Sequence, residues 1–494
     1  SFLCRRIDAD CPSLPSILMP IVALLAAAAG LVWGAVYARR GSLIAGCVAL
    51  VIVGYALGHT FWHAKIGPLT LTLDRVLLVA LFGAYLVQWR THRLEPKPLA
   101  GCDWLLFTLL GILAASTLAS GTPEVVAPDG GSPMWRLTMS FLVPAALYWI
   151  ARQAPLSQSA WKGWLAGMTL LGAYLGLTAC AEITHQWWLV FPHYISDPTL
   201  GIHFGRARGP DLNSASLGVY LTACLWSAWF LRPYVRPSLQ LIVLATLSVM
   251  ALGVFLTYTR STWIGLISSG AIVAAMQVPR RLRLPVFTMG GLVGAAILAT
   301  TWTNVVDLER EGTGLEAHHS IDQRESFAYV SWKMFSDNPL FGVGFGRFYD
   351  RKLPYLSDRS QNFELESIRP LHHHNTLLSV LTETGIVGFA AFVSLLAGWA
   401  RVAWCLARDR QAPAWARGQG VLMLAIMANY LSSAVFHDLT LLPQQEWLLF
   451  LFAGLTLNLR LGSRTDPQLL AEKGTFEYLA PSLLSAPTAG TVTA

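Results

Sequence analysis

From Leu239 to Gln277 the chain reads LQLIVLATLSVMALGVFLTYTRSTWIGLISSGAIVAAMQ. One bilayer crossing takes ~20 mostly apolar residues, so this stretch holds about two. Its one polar interruption is Leu256-Thr257-Tyr258-Thr259-Arg260-Ser261-Thr262-Trp263. A helical hairpin must turn there, because backbone inside lipid has to satisfy its own hydrogen bonds. The same signal recurs in both directions. Span-length apolar segments lie near 17–37, 42–62, 70–89, 103–120, 135–151, 161–182, 212–231, 239–258, 261–278, 284–302, 376–400, 418–436 and 443–459. The pattern predicts an all-α, polytopic helical membrane protein with about 12–13 transmembrane helices and a large extracytoplasmic loop. The expected division is ten helices over 1–302, a loop or cap over 303–373, three helices over 374–461, and a disordered cytoplasmic tail over 462–494. That tail is rich in Ala, Pro, Ser and Thr.

Composition agrees. Of 494 residues, 54% are hydrophobic and 13% charged, against roughly 25% charged in a soluble domain. Soluble enzymes, disordered chains and disulfide-stapled secreted domains are excluded on that ground. The net charge of +7 has no clustered basic face, so nucleic acid is not an expected partner. It follows instead the enrichment of Lys and Arg in cytoplasmic loops. Arg39 and Arg40, Arg90 and Arg93, Arg152, Arg232 and Arg236, Arg280 and Arg281, and Arg401 to Arg417 all follow odd-numbered spans. Those loops are therefore read as cytoplasmic, with the C-terminus on that side and the N-terminus outside. Arg5 and Arg6 run against the N-terminal assignment and are offset by Asp8 and Asp10. The seven Cys are scattered with no CxxC spacing; a Cys4–Cys11 pair is the one bridge left open.

Two groups of arginines break the charge rule and fall on the outer face. One is Arg260, in the hairpin turn. The other is Arg206 and Arg208, in Gly205-Arg206-Ala207-Arg208-Gly209-Pro210 before the seventh span. Arginine is always charged and grips phosphate oxygens in a bidentate fork, and an ionisable group at such a depth is a functional candidate. The plain alternative is an arginine snorkelling to headgroups. A third signal is His372-His373-His374-Asn375, where the large loop re-enters the membrane, with Glu383, Gly385 and Gly388 following. Histidine moves protons near neutral pH, and Asn375 can orient the ring or cap the following helix. A bland surface loop and a metal-binding triplet are the alternatives, although consecutive histidines cannot all face one ion from a helix. Upstream lies Pro339-Leu340-Phe341-Gly342-Val343-Gly344-Phe345-Gly346-Arg347-Phe348, read as a structural turn rather than a phosphate cradle because no Lys-Ser/Thr follows.

These blocks resemble the O-antigen ligase and O-antigen polymerase superfamily of bacterial membrane proteins. The resemblance rests on His374-Asn375 with Glu383, Gly385 and Gly388, on the block from Pro339 to Phe348 preceded by Arg324 and Trp332, on Thr257 to Arg260, and on Arg206, Ala207, Gly209 and Pro210 followed by Asn213. It covers about 200 residues, from 200 to 400. Thr259 stands where the family usually has Ser, and Ser214-Ala215 follows Asn213. The resemblance implies an inverting, metal-independent glycosyl transfer without cofactor. It takes place on the extracytoplasmic face of the bacterial inner (cytoplasmic) membrane. The implied donor is a glycan on undecaprenyl diphosphate; the implied acceptor is a hydroxyl of lipid A-core, of another glycan or of a protein.

The chemistry of the residues fits. A diphosphate leaving group needs cations, which Arg206 and Arg260 supply, and an acceptor hydroxyl needs a base, for which His374 is suited. Arg208, Asn213, Arg324, Asn375 and Glu383 are the substrate-binding candidates; no metal ligands are expected. Trp187, Trp188 and Tyr349 can stack on sugars or belong to the interfacial aromatic belt. Ligase and polymerase are not separable on these motifs. A lipid-linked glycan transporter, the competing class, would show repeated halves and midplane charges, and neither is seen.

Overall fold

The computed structural model describes residues 34–465, except 35, 67–68, 124, 126–130, 286–287, 293–313 and 361–362; over 314–322 only the backbone is described. The expectations for a span at 17–37, for most of 284–302, for the first part of the 303–373 loop, for a Cys4–Cys11 pair and for the tail beyond 465 fall outside these residues. The cysteines described (Cys47, Cys102, Cys180, Cys224 and Cys405) are free thiols.

The chain opens with α1 (Leu43–Ala56), a hairpin of β1 (His63–Ile66) and β2 (Leu69–Thr72), and then α2 (Leu73–Arg90) and α3 (Gly101–Ala119). A short α4 (Pro133–Leu137) passes through a π-helical turn, Thr138–Leu142, into α5 (Val143–Gln153). After these come α6 (Gln158–Ile183), α7 (Ser214–Leu231), α8 (Pro237–Leu256), α9 (Arg260–Gln277) and α10 (Gly314–Asp337). Last are α11 (Thr376–Arg408), α12 (Ala414–Ala434) and α13 (Pro443–Thr465). Among the described residues, five helices are long and apolar enough to cross a membrane: α3, α6, α7 with the turn that follows it, α8 and α11. The protein is an all-α polytopic membrane protein. Helices α12 and α13 keep span length, yet carry Gln419, Asn429, Gln445 and Glu446, each of which makes a hydrogen bond inside the bundle.

Three expectations are corrected. The second predicted span, 42–62, stops at Ala56. Fourteen residues rise only about 21 Å, short of the ~30 Å hydrocarbon core. Residues 63–72, partly assigned to spans, instead pair antiparallel with His63 opposite Thr72; Leu69-Thr70-Leu71-Thr72 alternates with the period of a strand and is rich in β-branched Thr. The fifth expected span, 135–151, is helical throughout, from Pro133 to Gln153, with a π turn over Thr138–Leu142 just before Pro144, whose ring removes a backbone donor. At the other end of the chain, α13 runs on to Thr465, past the expected boundary at 461.

One end of the bundle is locked by a buried ion pair. Arg152 and Asp103 lie 2.8 Å apart with both side chains fully buried, and the Tyr148 hydroxyl donates to Asp103 at 2.8 Å. The loop ahead of α11 builds a small folded cap. Phe327, Val330 and Met334 of α10 pack against Phe348, Leu356, Leu365 and Ile368, forming an apolar core separate from that of the bundle.

Helix α11 contains the feature that positions the site. Gly385 has φ 64° and ψ −168° inside the helix, a conformation open in practice only to glycine. The kink frees backbone groups that a second segment satisfies. Ile386 N–H donates to the Pro339 carbonyl at 2.9 Å, Val343 N–H to Thr382 at 3.1 Å and Gly344 N–H to Glu383 at 2.9 Å. The glycine block from Pro339 to Phe348 therefore threads along the break in α11. A Cβ on Gly342 would sit 2.4 Å from the Glu383 carbonyl carbon, and one on Gly385 would sit 2.3 Å from the Leu340 oxygen. The block is a structural turn, as its missing Lys-Ser/Thr predicts.

Candidate functional site

Four loops meet at the end of the bundle beneath the cap: the segment around 202–213, the α8–α9 turn, the entry into α11 and the turn between α12 and α13. Each is fixed by its own local chemistry. Asn375 caps α11, its side-chain oxygen accepting from Leu378 N–H at 2.9 Å while its amide donates to Val435 O at 2.9 Å. Thr376 donates to the His437 carbonyl through both its N–H (3.2 Å) and its hydroxyl (2.8 Å). These bonds place His374 and His437 side by side. Asn213 caps α7 by accepting from Ala215 and Ser216 N–H at 3.0 and 3.3 Å. Left-handed backbone at His203, Gly205, Gly209 and Leu212 folds the segment before it back toward the same place.

The cavity these loops enclose measures about 330 Å³, and its walls include His203, Asn213, Gln323, Arg324, His374, His437 and Asp438. Arg324 of α10 lies over the Phe436 ring at 5.6 Å. The Ser214 hydroxyl is 2.9 Å from His203 Nδ1, and Ser261 Oγ is 2.9 Å from His437 Nε2. Arg260 opens α9 immediately before Ser261 and is exposed. Arg206 donates to Tyr258 O at 3.5 Å, so both arginines stand at the turn that carries Tyr258 in left-handed backbone, outside the cavity wall itself.

The imidazoles are neutral bases. His374 is pushed below its ordinary value by desolvation and then by the Arg324 cation. His437 falls to about 3 through burial, followed by His374, His203 and Arg324. His203 falls to about 4 through burial, then Arg206 and His374. Of the three consecutive histidines, His374 is exposed and His373 buried. His374 packs edge-on against Phe327, with centroids 5.0 Å apart. His373 bonds Ser331 at 2.6 Å and stacks with Phe327, so its ring belongs to the cap core. Among the described residues no three His, Cys, Asp or Glu side chains are grouped to hold a metal ion.

Of the eight sequence candidates, His374, Asn213 and Arg324 line the cavity; Arg206, Arg260 and Asn375 lie on the flanking turns just described, and Arg208 and Glu383 are bonded elsewhere. Arg208 is 1% exposed and donates to the carbonyls of Ile195 (2.8 Å), Asp197 (2.6 Å) and Leu200. Its fork staples the 195–200 turn. Glu383 is equally buried and faces Arg136.

Arg136 is the residue that sequence reasoning passed over. From α4 it donates to both Glu383 oxygens at 2.9 and 3.0 Å, to Asp438 at 3.0 Å, to Ser379 at 3.0 Å and to Thr440. It thereby ties α4 to the kinked start of α11 and to the turn bearing His437. The signal was present. Arg136 lies just inside the outer end of a predicted span, the same breach of the charge rule as Arg206 and Arg260. His437 and Asp438 had a weaker one, a titratable pair directly after a span. His203 had none.

Against known families, residues 244–393 match the family described as O-antigen ligase. The match takes in Arg260, Arg324, His374, Asn375 and Glu383, and ends short of Arg206, Arg136 and His437 on either side. No curated protein matches the chain.

Proposed function

We propose that this chain, whose residues 244–393 match the O-antigen ligase family, is a ligase-like glycosyltransferase. It moves a glycan from an undecaprenyl-diphosphate carrier to an acceptor hydroxyl on the extracytoplasmic face of the bacterial inner membrane. The observation that carries this reading is one cavity walled by neutral histidines and a cation: Arg324 in the wall, His374 exposed, and Arg206 and Arg260 at the adjoining α8–α9 turn, next to which Ser261 bonds His437.

The chemistry follows from charge. As the sugar leaves the carrier, negative charge develops on the diphosphate, and arginine forks stabilise it without losing their own protons. His374 accepts the proton of the incoming hydroxyl, which its depressed basicity permits at neutral pH because the ring is held unprotonated. The new glycosidic bond forms on the face opposite the departing diphosphate, inverting the anomeric centre. The proton resides on His374 until solvent removes it. Asn375, Asn213 and Arg136 act by positioning.

The test is deletion of the gene in its host, with mass spectrometry of the undecaprenyl-linked glycans. Long chains that accumulate on the carrier and are missing from their final acceptor mean a ligase, and the orphaned acceptor separates lipid A-core from protein. Accumulated single repeat units mean a polymerase instead. An unchanged pool overturns the proposal.

A further inference from the structure

A groove of about 580 Å³ lies on the outside of the cap and shares no wall residue with the histidine cavity. Helix α10 forms one wall and the 353–358 turn the other. At 100° per residue, Phe327, Val330, Ser331 and Met334 share one face of α10, while Tyr329, Trp332 and Lys333 fall on the opposite face. The structure follows that division. Phe327, Val330 and Met334 are in the cap core and Ser331 holds His373, whereas Trp332 is 60% exposed.

The groove joins broad rings to fixed polar groups. The Tyr329 hydroxyl donates to Asp358 at 2.8 Å, the Tyr355 hydroxyl donates to Asp337 at 2.7 Å, and Lys333 pairs with Asp358 over the Tyr329 ring at 5.0 Å. An interfacial belt would set Trp332 among apolar neighbours and lipid-facing cations. Trp332 lies against Phe335, with centroids 5.5 Å apart, but the groove's cation, Lys333, is held by Asp358 and a second carboxylate, Asp337, lines the groove, which fits a polar ligand better than a lipid surface. An exposed indole beside carboxylates already held in place matches a pyranose, whose C–H face covers a ring and whose hydroxyls donate to acidic oxygens.

We propose that this groove binds the glycan part of the acceptor. The proposal rests on the transfer reading above. Helix α10 stands between the groove and the histidine cavity, with Trp332 in the groove and Ser331, on the opposite face, bonded to His373 of the cavity wall, so an oligosaccharide seated outside has to reach round a helix about 10–12 Å thick with side chains toward His374. The groove tethers the acceptor by sugars remote from the reacting hydroxyl, adding affinity and length preference and leaving the chemical step to the cavity.

The experiment uses the full chain in detergent. The probe is lipid-free oligosaccharide released by mild acid from the host's own envelope, titrated by saturation-transfer NMR without donor. Wild type and Trp332→Phe are expected to bind alike, and Trp332→Ala to bind about tenfold more weakly, as loss of one stacking ring implies. In the transfer assay Trp332→Ala is expected to raise the acceptor KM by a similar factor, with kcat at saturation and donor KM unchanged. Equal binding by wild type and Trp332→Ala overturns the groove. So does a fall in kcat without a change in acceptor KM. Binding that depends on Trp332 in a wild-type protein with no transfer activity overturns the transfer reading and leaves the glycan groove standing.

Discussion

Replacing Arg136 by Gln tests whether the site is held together by one guanidinium. Its fork takes two oxygens of Glu383 and one of Asp438, at 2.9–3.0 Å, and both carboxylate side chains are 1% exposed. Removing one partner of a buried ion pair costs about 3–5 kcal/mol, because the remaining charge stays buried. Arg136 leaves two such carboxylates behind and also gives up Ser379 and Thr440, so the upper part of that range is expected. One kcal/mol is worth about 2–4 °C in a domain of 150–250 residues and less in a longer chain. The thermal midpoint in detergent should therefore fall by several degrees, with transfer lost as the α12–α13 turn and the α11 kink come apart. A double variant, Arg136→Gln with Glu383→Gln, should recover part of the loss. Groups in contact couple by about 0.5–3 kcal/mol, and the second change removes one stranded charge. A midpoint within a degree of wild type, or strictly additive losses, would refute the argument.

The remaining predictions concern chemistry and backbone. His374 is held below the usual value of about 6.5 by desolvation among the surrounding loops first and Arg324 second, and its neutral form is the active one. The acid limb of kcat/KM therefore lies below pH 6.5. Arg324→Gln removes a cation that favours the neutral ring, so the limb moves up in pH; a limb above 6.5 in wild type, or a downward shift in the variant, contradicts the assignment. Arg260→Lys should lose most turnover while inserting normally, since a point charge does not replace a bidentate fork; near-wild-type kcat in purified protein would remove that role. Transfer should survive EDTA, and a loss restored by a single divalent ion would overturn the metal-independent reading. Gly385→Ala places a methyl 2.3 Å from the Leu340 oxygen in backbone that excludes side chains. It should cost more than the ~1–3 kcal/mol of backbone strain alone, read as a lower thermal midpoint.

What the sequence made legible is what stands out against a plain background. In an apolar chain the helices declare themselves by length. Arg206 and Arg260 stand out because they break the alternation of charged and uncharged loops. The failures share one cause, that polarity inside a membrane bundle is judged by partners which sequence does not display. Arg208 looked like Arg206, two residues away and equally charged. Only the fold shows that one meets the carbonyls of its own turn and the other reaches across to the α8–α9 turn. Glu383 looked like a substrate contact and proves to be the counter-ion of Arg136, 247 residues earlier in the chain. The hairpin at 63–72 was masked by composition, because Leu and Ile serve a strand as well as a span.

That difference between Arg206 and Arg208 bears on how the site works. A guanidinium with three carbonyl partners from a single turn cannot release them to follow a leaving diphosphate without unfolding that turn. Arg208 therefore sets the shape of the 195–213 segment, and through it the position of His203 and Arg206. Arg208→Lys separates these roles, because lysine keeps the charge and loses the fork. If Arg208 acts on the turn, the variant lowers the thermal midpoint. The loss of kcat is then accompanied by a shift in the acid limb of the pH profile, since Arg206 and His203 move relative to His374. If Arg208 touches the diphosphate directly, the variant folds as wild type and loses donor affinity alone. The buried guanidinium, 1% exposed, favours the first outcome, and a rise in donor KM at an unchanged thermal midpoint would show it to be wrong.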